Sequence, residues 1–222
     1  MGIGLGVVSG TTIQILSKQG YQVQSMLPQW LQIVPFSNKG NNLIGINSRN
    51  NSIGLGRFQP KKKLVDLSTR WSDLAKRQEG FIASAFLLVL DDGRYAELAP
   101  DKLLPAASSI KIPILLVTLK LIDSGQLSWD ETLPLTKEVV GGGAGWMALK
   151  RLGTRFPIHR IATEMIRVSD NTATNLLIKR IGGKKILNEY FKALGLTSTT
   201  VNNWLPDLRG TNNTSTRDLA RS

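Results

Sequence analysis

The chain has 222 residues, enough for one well-packed domain, and carries a net charge of +12 with no cysteine and one histidine, His159. The lack of cysteine excludes thiol nucleophiles and disulfides, and a single histidine is too little for a Cys/His cage, so we expect no metal site. His159 lies beside isoleucines in a helical stretch and is interpreted as structural, so a serine hydrolase built from this chain would use lysine as its base.

The positive charge has one dense cluster, Lys61-Lys62-Lys63, with no aromatic residue between the lysines. A basic chain of this kind suits nucleic acid, an anionic membrane surface or an acidic polymer. Because base stacking needs interleaved aromatic side chains, we interpret the cluster as a solvated charge run and predict no nucleic-acid partner. A nucleic-acid binder is the minor alternative, and steep salt dependence of binding would reveal it.

The N-terminal part of the chain differs in composition from the rest. Residues 1–16 have no charged side chain, but the segment is shorter than the roughly 20 residues that span a bilayer. We interpret residues 1–20 as the remnant of a signal anchor with an N-terminal membrane contact, and an ordinary buried segment is the alternative. Residues 21–61, rich in Asn, Gln, Ser and Gly, are predicted to be a low-complexity linker, and residues 62–222 the folded domain.

The folded domain is predicted to begin with a helix and a hairpin. Its first apolar residues recur at helical spacing: Leu64, Leu67, Trp71 and Leu74. Gly80 is predicted to cap this helix. Residues 81–90 are rich in strand formers, Asp92-Gly93 is a hairpin signal, and residues 94–98 return as the second strand. Two strands are too few for independent stability, so a stable sheet needs further strands.

A longer helix is predicted to open at Ser108 or Ser109 and to run to Gly125. Its residues are apolar nearly all round, which is typical of a helix in the middle of a domain. Pro113 lies in its second turn and removes a backbone hydrogen bond, so we expect an irregular turn there.

Three more helices are predicted after the glycine-rich loop of residues 141–145, which we expect to be flexible. Pro157 suits the first position of the first of these helices. Ser169-Asp170-Asn171 then interrupts the pattern. Residues 172–181 form the next helix, closed by two glycines, and residues 186–194 form the last.

Ser108 and Lys111 lie three residues apart at the start of the long helix, so the lysine amine can reach the serine hydroxyl on one helical face. A hydroxyl becomes a nucleophile when a base takes its proton, and apolar surroundings lower a lysine pKa toward that task. The corner at Ser169-Asp170-Asn171 can project a second hydroxyl and an amide into the same cleft. Each motif alone is weak, because the tripeptide is common in helix caps and turns, but together they indicate a nucleophile.

These motifs resemble those of the penicillin-recognising serine hydrolases, and within them the class A β-lactamases. The similarity covers about Leu64 to Ser222 and includes residues 106–111, residues 165–178 and residues 217–220. The resemblance implies a β-lactam or a peptidoglycan peptide as the small-molecule substrate, and it implies no metal or organic cofactor. It also implies a place on the periplasmic side of the bacterial cell envelope, and we expect a monomer.

The resemblance further implies a role for each matching residue. Ser108 matches the acylated nucleophile, with its backbone N–H as one oxyanion donor, and Lys111 matches the base or proton relay. Ser169 matches the hydroxyl that passes a proton to the β-lactam nitrogen. Asn171 matches the amide that holds the substrate side chain, and Asp170 a residue that organises the corner.

Two departures separate this sequence from the family pattern. Where the family has Trp-Glu-Pro-Glu-Leu-Asn, this chain reads Trp204-Leu205-Pro206-Asp207-Leu208-Arg209, so Leu205 replaces the water-activating glutamate and Arg209 its asparagine partner. Leucine cannot deprotonate water, so deacylation should be slow unless another group, such as Asp207, acts instead. The Lys-Thr/Ser-Gly motif and the strands around it are absent before Ser222. We therefore expect a truncated domain with an unpaired sheet edge.

The sequence thus predicts an α+β fold: a β-lactamase-like helical lobe with the first two strands of an antiparallel sheet and without the C-terminal strands. The predicted function is opening of the β-lactam ring through an acyl-enzyme on Ser108. Two alternatives stay open. One is a penicillin-binding protein, acylated by peptidoglycan peptides, with slow deacylation. The other is a non-catalytic, membrane-tethered envelope protein that keeps only the fold.

Overall fold

The computed structural model describes residues 60–77, 80 and 82–222. The predicted signal-anchor remnant, residues 1–20, and all but the last two residues of the predicted linker, residues 21–61, lie outside the described residues. Within the described part of the chain, no helix is both long and apolar enough to cross a bilayer.

The described residues form six α-helices and seven short strands. The helices are α1 (Val65–Lys76), α2 (Lys111–Asp123), α3 (Ile158–Arg167), α4 (Asn171–Ile181), α5 (Gly183–Ala193) and α6 (Thr216–Arg221). The strands are β1 (Lys62–Lys63), β2 (Ala85–Leu88), β3 (Arg94–Leu98), β4 (Leu104–Pro105), β5 (Thr132–Pro134), β6 (Arg155–Pro157) and β7 (Asn213–Thr214). A 3₁₀ turn, Ala107–Ile110, leads directly into α2.

The main sheet has three strands in the order β1-β3-β2. β2 and β3 form the predicted antiparallel hairpin, with Ala85 opposite Leu98. β1 adds a parallel strand on the other side of β3, and the Lys63 ammonium donates to Glu97 at 2.8 Å. The lysine cluster that we interpreted as a solvated charge run therefore joins the sheet through its backbone, while its side chains stay exposed. The predicted α+β class is confirmed, with one strand more than expected beside the hairpin.

Helices α1 and α2 differ in detail from their predicted boundaries. α1 ends at Lys76, where Arg77 keeps a right-handed conformation and donates its N–H to Leu74, so the prediction that Gly80 caps this helix is wrong. The irregular turn expected near Pro113 is present as the 3₁₀ turn before α2. Pro113 itself falls in the first turn of α2, where a backbone N–H has no partner within the helix anyway.

The core surrounds α2, which packs against α3, α4 and α5. Its fully buried side chains come from all four helices and include Ile114, Val117, Ile161, Met165, Leu177, Ile178, Leu187 and Phe191. Burying one aliphatic side chain of this kind contributes about 2 kcal/mol. Because α2 is enclosed on several sides, the residues at its N-terminus are held at a fixed position beside α4.

Helix α6 is attached to the sheet by an ion-pair cluster. Arg217 pairs with Asp101 at 2.7 Å and with Glu97 at 3.0 Å, and its guanidinium lies 5.0 Å from the Phe86 ring centre. The hydrogen bond from Arg217 holds the pKa of Asp101 below its usual range. These contacts fix the last described helix against β2 and β3.

Candidate active site

Ser108 and Lys111 are neighbours at the start of α2 but differ in their exposure to solvent. Ser108 is exposed on the 3₁₀ turn, whereas the Lys111 side chain is only 2% exposed. Ala107, just before the serine, has a φ of +45°, a left-handed conformation that few non-glycine residues adopt. Strain of this kind is typical of functional sites, where the surrounding structure holds it in place.

Three hydroxyl and amide groups converge on the Lys111 amine. Its Nζ lies 3.1 Å from Ser108 Oγ, 3.0 Å from Ser169 Oγ and 3.0 Å from Asn171 Oδ1. Ser169 Oγ also lies 2.9 Å from Ser108 Oγ. The four residues singled out from the sequence are thus brought into one hydrogen-bonded cluster, although Ser169 is sixty-one positions from Ser108 in the chain.

Burial lowers the pKa of Lys111 to about 8, and the nearby negative charge of Asp170 opposes part of that effect. An ordinary lysine, with a pKa near 10.4, is almost entirely protonated at neutral pH. With a pKa of about 8, roughly one-tenth of Lys111 is neutral at pH 7 and able to accept a proton. The site therefore holds an amine that can act as a base within hydrogen-bonding distance of an exposed hydroxyl.

Ser169 lies in a strained corner between α3 and α4. Its φ is +58°, and the backbone N–H groups of Val168 and Asp170, on either side of it, both donate to the Glu164 carbonyl. This pair of bonds turns the chain sharply, so that the Ser169 hydroxyl is aimed at the start of α2 and Asn171 begins the next helix.

The Asp170 carboxylate joins that corner to the glycine-rich loop. One oxygen caps α4 by accepting from the Ala173 N–H at 2.9 Å. The other accepts from the backbone N–H groups of Trp146 at 2.8 Å and Met147 at 2.9 Å. Asp170 is 1% exposed, so its loss would leave these buried donors without a partner.

We expect Asp170→Ala to lower the free energy of unfolding by about 3 kcal/mol, because it removes a helix cap and leaves two loop N–H groups unsatisfied. Urea denaturation followed by far-UV circular dichroism measures this change. Asp73→Ala, which removes a half-exposed carboxylate from α1, is the matched control and should change stability by less than about 0.5 kcal/mol. Equal losses in the two variants would contradict the role assigned to Asp170.

The loop of residues 141–145, expected from its composition to be flexible, is held at several points. Asn171 Nδ2 donates to the Gly142 carbonyl at 2.8 Å, and the Asn171 N–H donates to the Ala144 carbonyl at 3.2 Å. Gly145 has a φ of +101°, and a Cβ there would collide with the Asp170 carboxylate. Glycine is therefore required where the loop crosses the corner.

The segment that replaces the family's glutamate loop lies against the same helix. Asn175 accepts from the Leu205 N–H at 2.9 Å and donates to the Leu205 carbonyl at 2.8 Å, and the Leu205 side chain is buried in the core. Asp207 accepts from Asn212 N and Thr211 Oγ1. Burial raises the pKa of Asp207, but these hydrogen bonds outweigh it and hold the pKa below its usual range. Its carboxylate is thus committed to hydrogen bonds within its own loop.

Three residues near the site were not predicted from the sequence: Asn175, Trp146 and Glu164. Asn175 stands one helical turn after Asn171, a spacing that could have suggested a shared face of α4. Trp146 and Glu164 gave no such signal. His159, interpreted as structural, is exposed on α3 and takes no part in the hydrogen bonds described for the cluster. No group of three His, Cys, Asp or Glu side chains suitable for a metal occurs among the described residues.

A serine hydrogen-bonded to a buried lysine at the start of a central helix, beside a Ser-Asp-Asn corner in an α+β fold, defines a protein of the class A serine β-lactamase type. The sequence comparison agrees: the model of the beta-lactamase enzyme family matches residues 66–222. The chain belongs to this family, as the motifs predicted.

Curated relatives match parts of the chain. A beta-lactamase of Bacillus licheniformis is 31% identical over 159 residues, which is 67% of this chain and 48% of that protein. A beta-lactamase of Rhodobacter capsulatus is 30% identical over 95 residues, which is 43% of this chain and 32% of that protein. The chain therefore spans about a third to a half of the length of these relatives.

Solved structures extend the similarity. PBP-A superposes with a TM-score of 0.71 at 37% identity, over 74% of this chain and 62% of PBP-A. A leucine-to-glutamate mutant of PBP-A, solved as an acyl-enzyme complex with penicillin G, gives the same score and identity over 73% of this chain and 61% of its own. An ancestral class A beta-lactamase gives 0.61 at 26% identity, over 69% of this chain and 61% of its own.

Proposed function

We propose that this chain is a serine acylating enzyme that takes β-lactams onto Ser108 and releases them slowly, in the manner of a penicillin-binding protein. The observation that carries the proposal is the contact of Lys111 Nζ with Ser108 Oγ at 3.1 Å, made by an amine whose pKa burial has lowered to about 8. The similarity to PBP-A, one form of which holds penicillin G as an acyl-enzyme, supports it.

Acylation proceeds in two proton-coupled steps. Neutral Lys111 accepts the proton of Ser108 Oγ while that oxygen attacks the β-lactam carbonyl carbon. The resulting oxyanion receives a hydrogen bond from the Ser108 N–H. When the carbonyl carbon–nitrogen bond breaks, the proton on Lys111 passes through the Ser169 hydroxyl, 3.0 Å away, to the departing nitrogen. The products are a Ser108 ester and neutral Lys111.

Substrate binding is assigned to Asn171. Its Nδ2 faces the Gly142 carbonyl and its Oδ1 faces Lys111, so the amide plane is fixed at the edge of the cluster. In the proposed complex a substrate amide lies beside this side chain, as the family resemblance implies. We further propose that peptidoglycan peptides are the natural acyl donors, a substrate class that would be met on the periplasmic side of the bacterial cell envelope.

Slow deacylation follows from the loop that carries Leu205. A buried leucine offers no group to activate water, and Asp207 accepts two hydrogen bonds from its own loop. The acyl-enzyme would therefore persist. Rapid hydrolytic turnover is the second candidate, and the beta-lactamases of Bacillus licheniformis and Rhodobacter capsulatus among its relatives favour it.

A chromogenic β-lactam separates the two candidates. We expect a burst of one equivalent of opened ring per chain, followed by a slow steady rate, because acylation is supported by the cluster and deacylation is not. The measurement is stopped-flow absorbance with excess substrate. A linear steady rate without a burst, well above the spontaneous rate, would favour the hydrolase, and no reaction at all would leave only a non-catalytic protein.

The acylation rate should rise with pH. Because burial lowers the pKa of Lys111, its neutral, proton-accepting form predominates only above pH 8, and the second-order rate constant should follow a single ionisation near that value. Below pH 7 each further unit should reduce the rate about tenfold. Stopped-flow acylation from pH 6 to 9.5 gives the profile. A rate that is independent of pH across this range would exclude Lys111 as the base.

A further inference from the structure

A buried carboxylate, Glu164, lies behind the site and has no part in the proposed chemistry. It is on α3 and is 1% exposed. Its side chain accepts from Trp146 Nε1 at 2.9 Å and from Arg167 at 2.7 Å, and it lies 3.3 Å from Arg160. Burial raises the pKa of Glu164, but Arg167 and Trp146 outweigh that effect, so the group stays ionised at neutral pH.

Trp146 is held as firmly as its partner. The Arg160 guanidinium lies 5.3 Å from its ring centre, and the Phe156 ring meets it edge-on with centres 5.9 Å apart. Its backbone N–H donates to Asp170. We call the Trp146 Nε1–Glu164 hydrogen bond the brace. The brace therefore attaches Trp146, the residue that follows the glycine-rich loop, to a fixed point on α3.

Glu164 also holds the other wall of the site, because its backbone carbonyl accepts the N–H groups on both sides of Ser169. One residue therefore contacts both the corner that carries Ser169 and the loop that carries the Gly142 carbonyl. That carbonyl orients Asn171, and Asn171 in turn covers the Lys111 amine at 3.0 Å. Glu164 is thus connected to Lys111 through Trp146, the loop and Asn171.

We propose that Glu164 is a positioning residue: through the brace it holds the loop of residues 141–147 over Asn171 and so shelters the Lys111 amine from water. Residues 141–145 include four glycines and bring almost no side chain to the packing, so the loop is anchored at its end, where Met147 is buried in the core and Trp146 packs against it. Without the brace, the Trp146 end of the loop would loosen, the Gly142 carbonyl would no longer fix Asn171, and water would reach Lys111. The kinetic consequences rest on the proposed acylating function, whereas the sheltering of Lys111 does not.

The shelter is measured directly by the pKa of Lys111, read from the ¹³Cε resonance of labelled lysine and assigned with Lys111→Arg. Asp170, on the corner, is the charged group whose field acts on this amine, and the brace variants leave it in place. We expect Trp146→Phe, which keeps the ring but removes the donor, to raise the pKa of Lys111 above about 8. Glu164→Ala should do the same.

Two variants serve as controls. Glu164→Gln keeps an oxygen that accepts from Trp146 Nε1, so the pKa of Lys111 should stay at the parent value, since Arg160 and Arg167 are about half exposed and can be solvated. Trp129→Phe makes the same substitution at a partly exposed tryptophan, whose backbone carbonyl accepts a hydrogen bond from α3. It should leave the pKa of Lys111 at the parent value. Should Glu164→Ala fail to fold, Trp146→Phe decides, because it keeps the carboxylate and both arginine contacts.

The acylation kinetics give a second readout. We expect Trp146→Phe to lower the acylation rate constant about tenfold at pH 7, with a small effect on substrate affinity, and to move the pH midpoint upward. An unchanged pKa of Lys111 in folded Trp146→Phe and Glu164→Ala would overturn the inference about Glu164. A parent chain that is never acylated would instead overturn the proposed function, and the pKa measurement would still decide on the brace.

Discussion

Ser108→Ala is expected to abolish covalent labelling by penicillin G completely. The hydroxyl of Ser108 is the exposed oxygen in contact with Lys111, and a methyl group in its place cannot form an ester. Labelling is quantified by intact-protein mass spectrometry after incubation with excess penicillin. The substitution is small and lies on the surface, so circular dichroism should show an unchanged fold.

The matched control is the neighbouring serine. Ser109→Ala removes a hydroxyl that donates to the Ala106 carbonyl, and it should label to the same extent as the parent chain. If Ser108→Ala were labelled as fully as Ser109→Ala, another side chain would be the nucleophile and the role of the cluster would have to be abandoned.

Leu205→Glu is expected to speed deacylation about tenfold. A carboxylate at this position supplies the base that the family pattern places there, and a well-placed general base contributes at least about 100-fold. We expect less, because Arg209 stands where the pattern has the asparagine partner of the glutamate. The acylated protein is isolated and the loss of the adduct is followed by mass spectrometry.

A control variant separates the effect of a new base from the effect of a polar side chain in the buried loop. Leu205→Gln introduces a polar side chain of the same size as glutamate into the buried loop, but the glutamine amide accepts no proton. Its deacylation should therefore stay close to the parent rate. Both variants should be less stable by about 2 kcal/mol, because each places a polar group among apolar side chains. Equal deacylation in the two variants would show that the missing carboxylate does not limit turnover.

The local features of the fold followed from the sequence because short-range rules fix them. The hairpin at Asp92-Gly93 and the helix that ends before Gly182 depend on turn and cap residues next to each other in the chain. β1 could not be found in this way, since a two-residue strand of lysines has no alternating pattern. The end of α1 was misplaced because Arg77 closes it before the glycine is reached.

The site was predictable to the extent that its members form short motifs. Ser108 with Lys111, and Ser169 with Asn171, have a spacing that suggests shared faces and a common cleft. Glu164 had no such spacing, because a glutamate on a helix is usually solvated and nothing local shows that Trp146 covers it. Its environment is set by a loop eighteen positions away.

A time course of intact mass for the parent chain mixed with penicillin G tests the proposed acylation of Ser108 directly. Because Lys111 can activate Ser108, and the loop of Leu205 and Asp207 offers water no free carboxylate, we predict one adduct of the full penicillin mass per chain, located on the peptide that contains Ser108. The adduct should persist while most of the excess penicillin stays intact. Two results would contradict slow release from Ser108. In one, the chain stays unmodified while penicillin is consumed; in the other, the chain is labelled on another peptide.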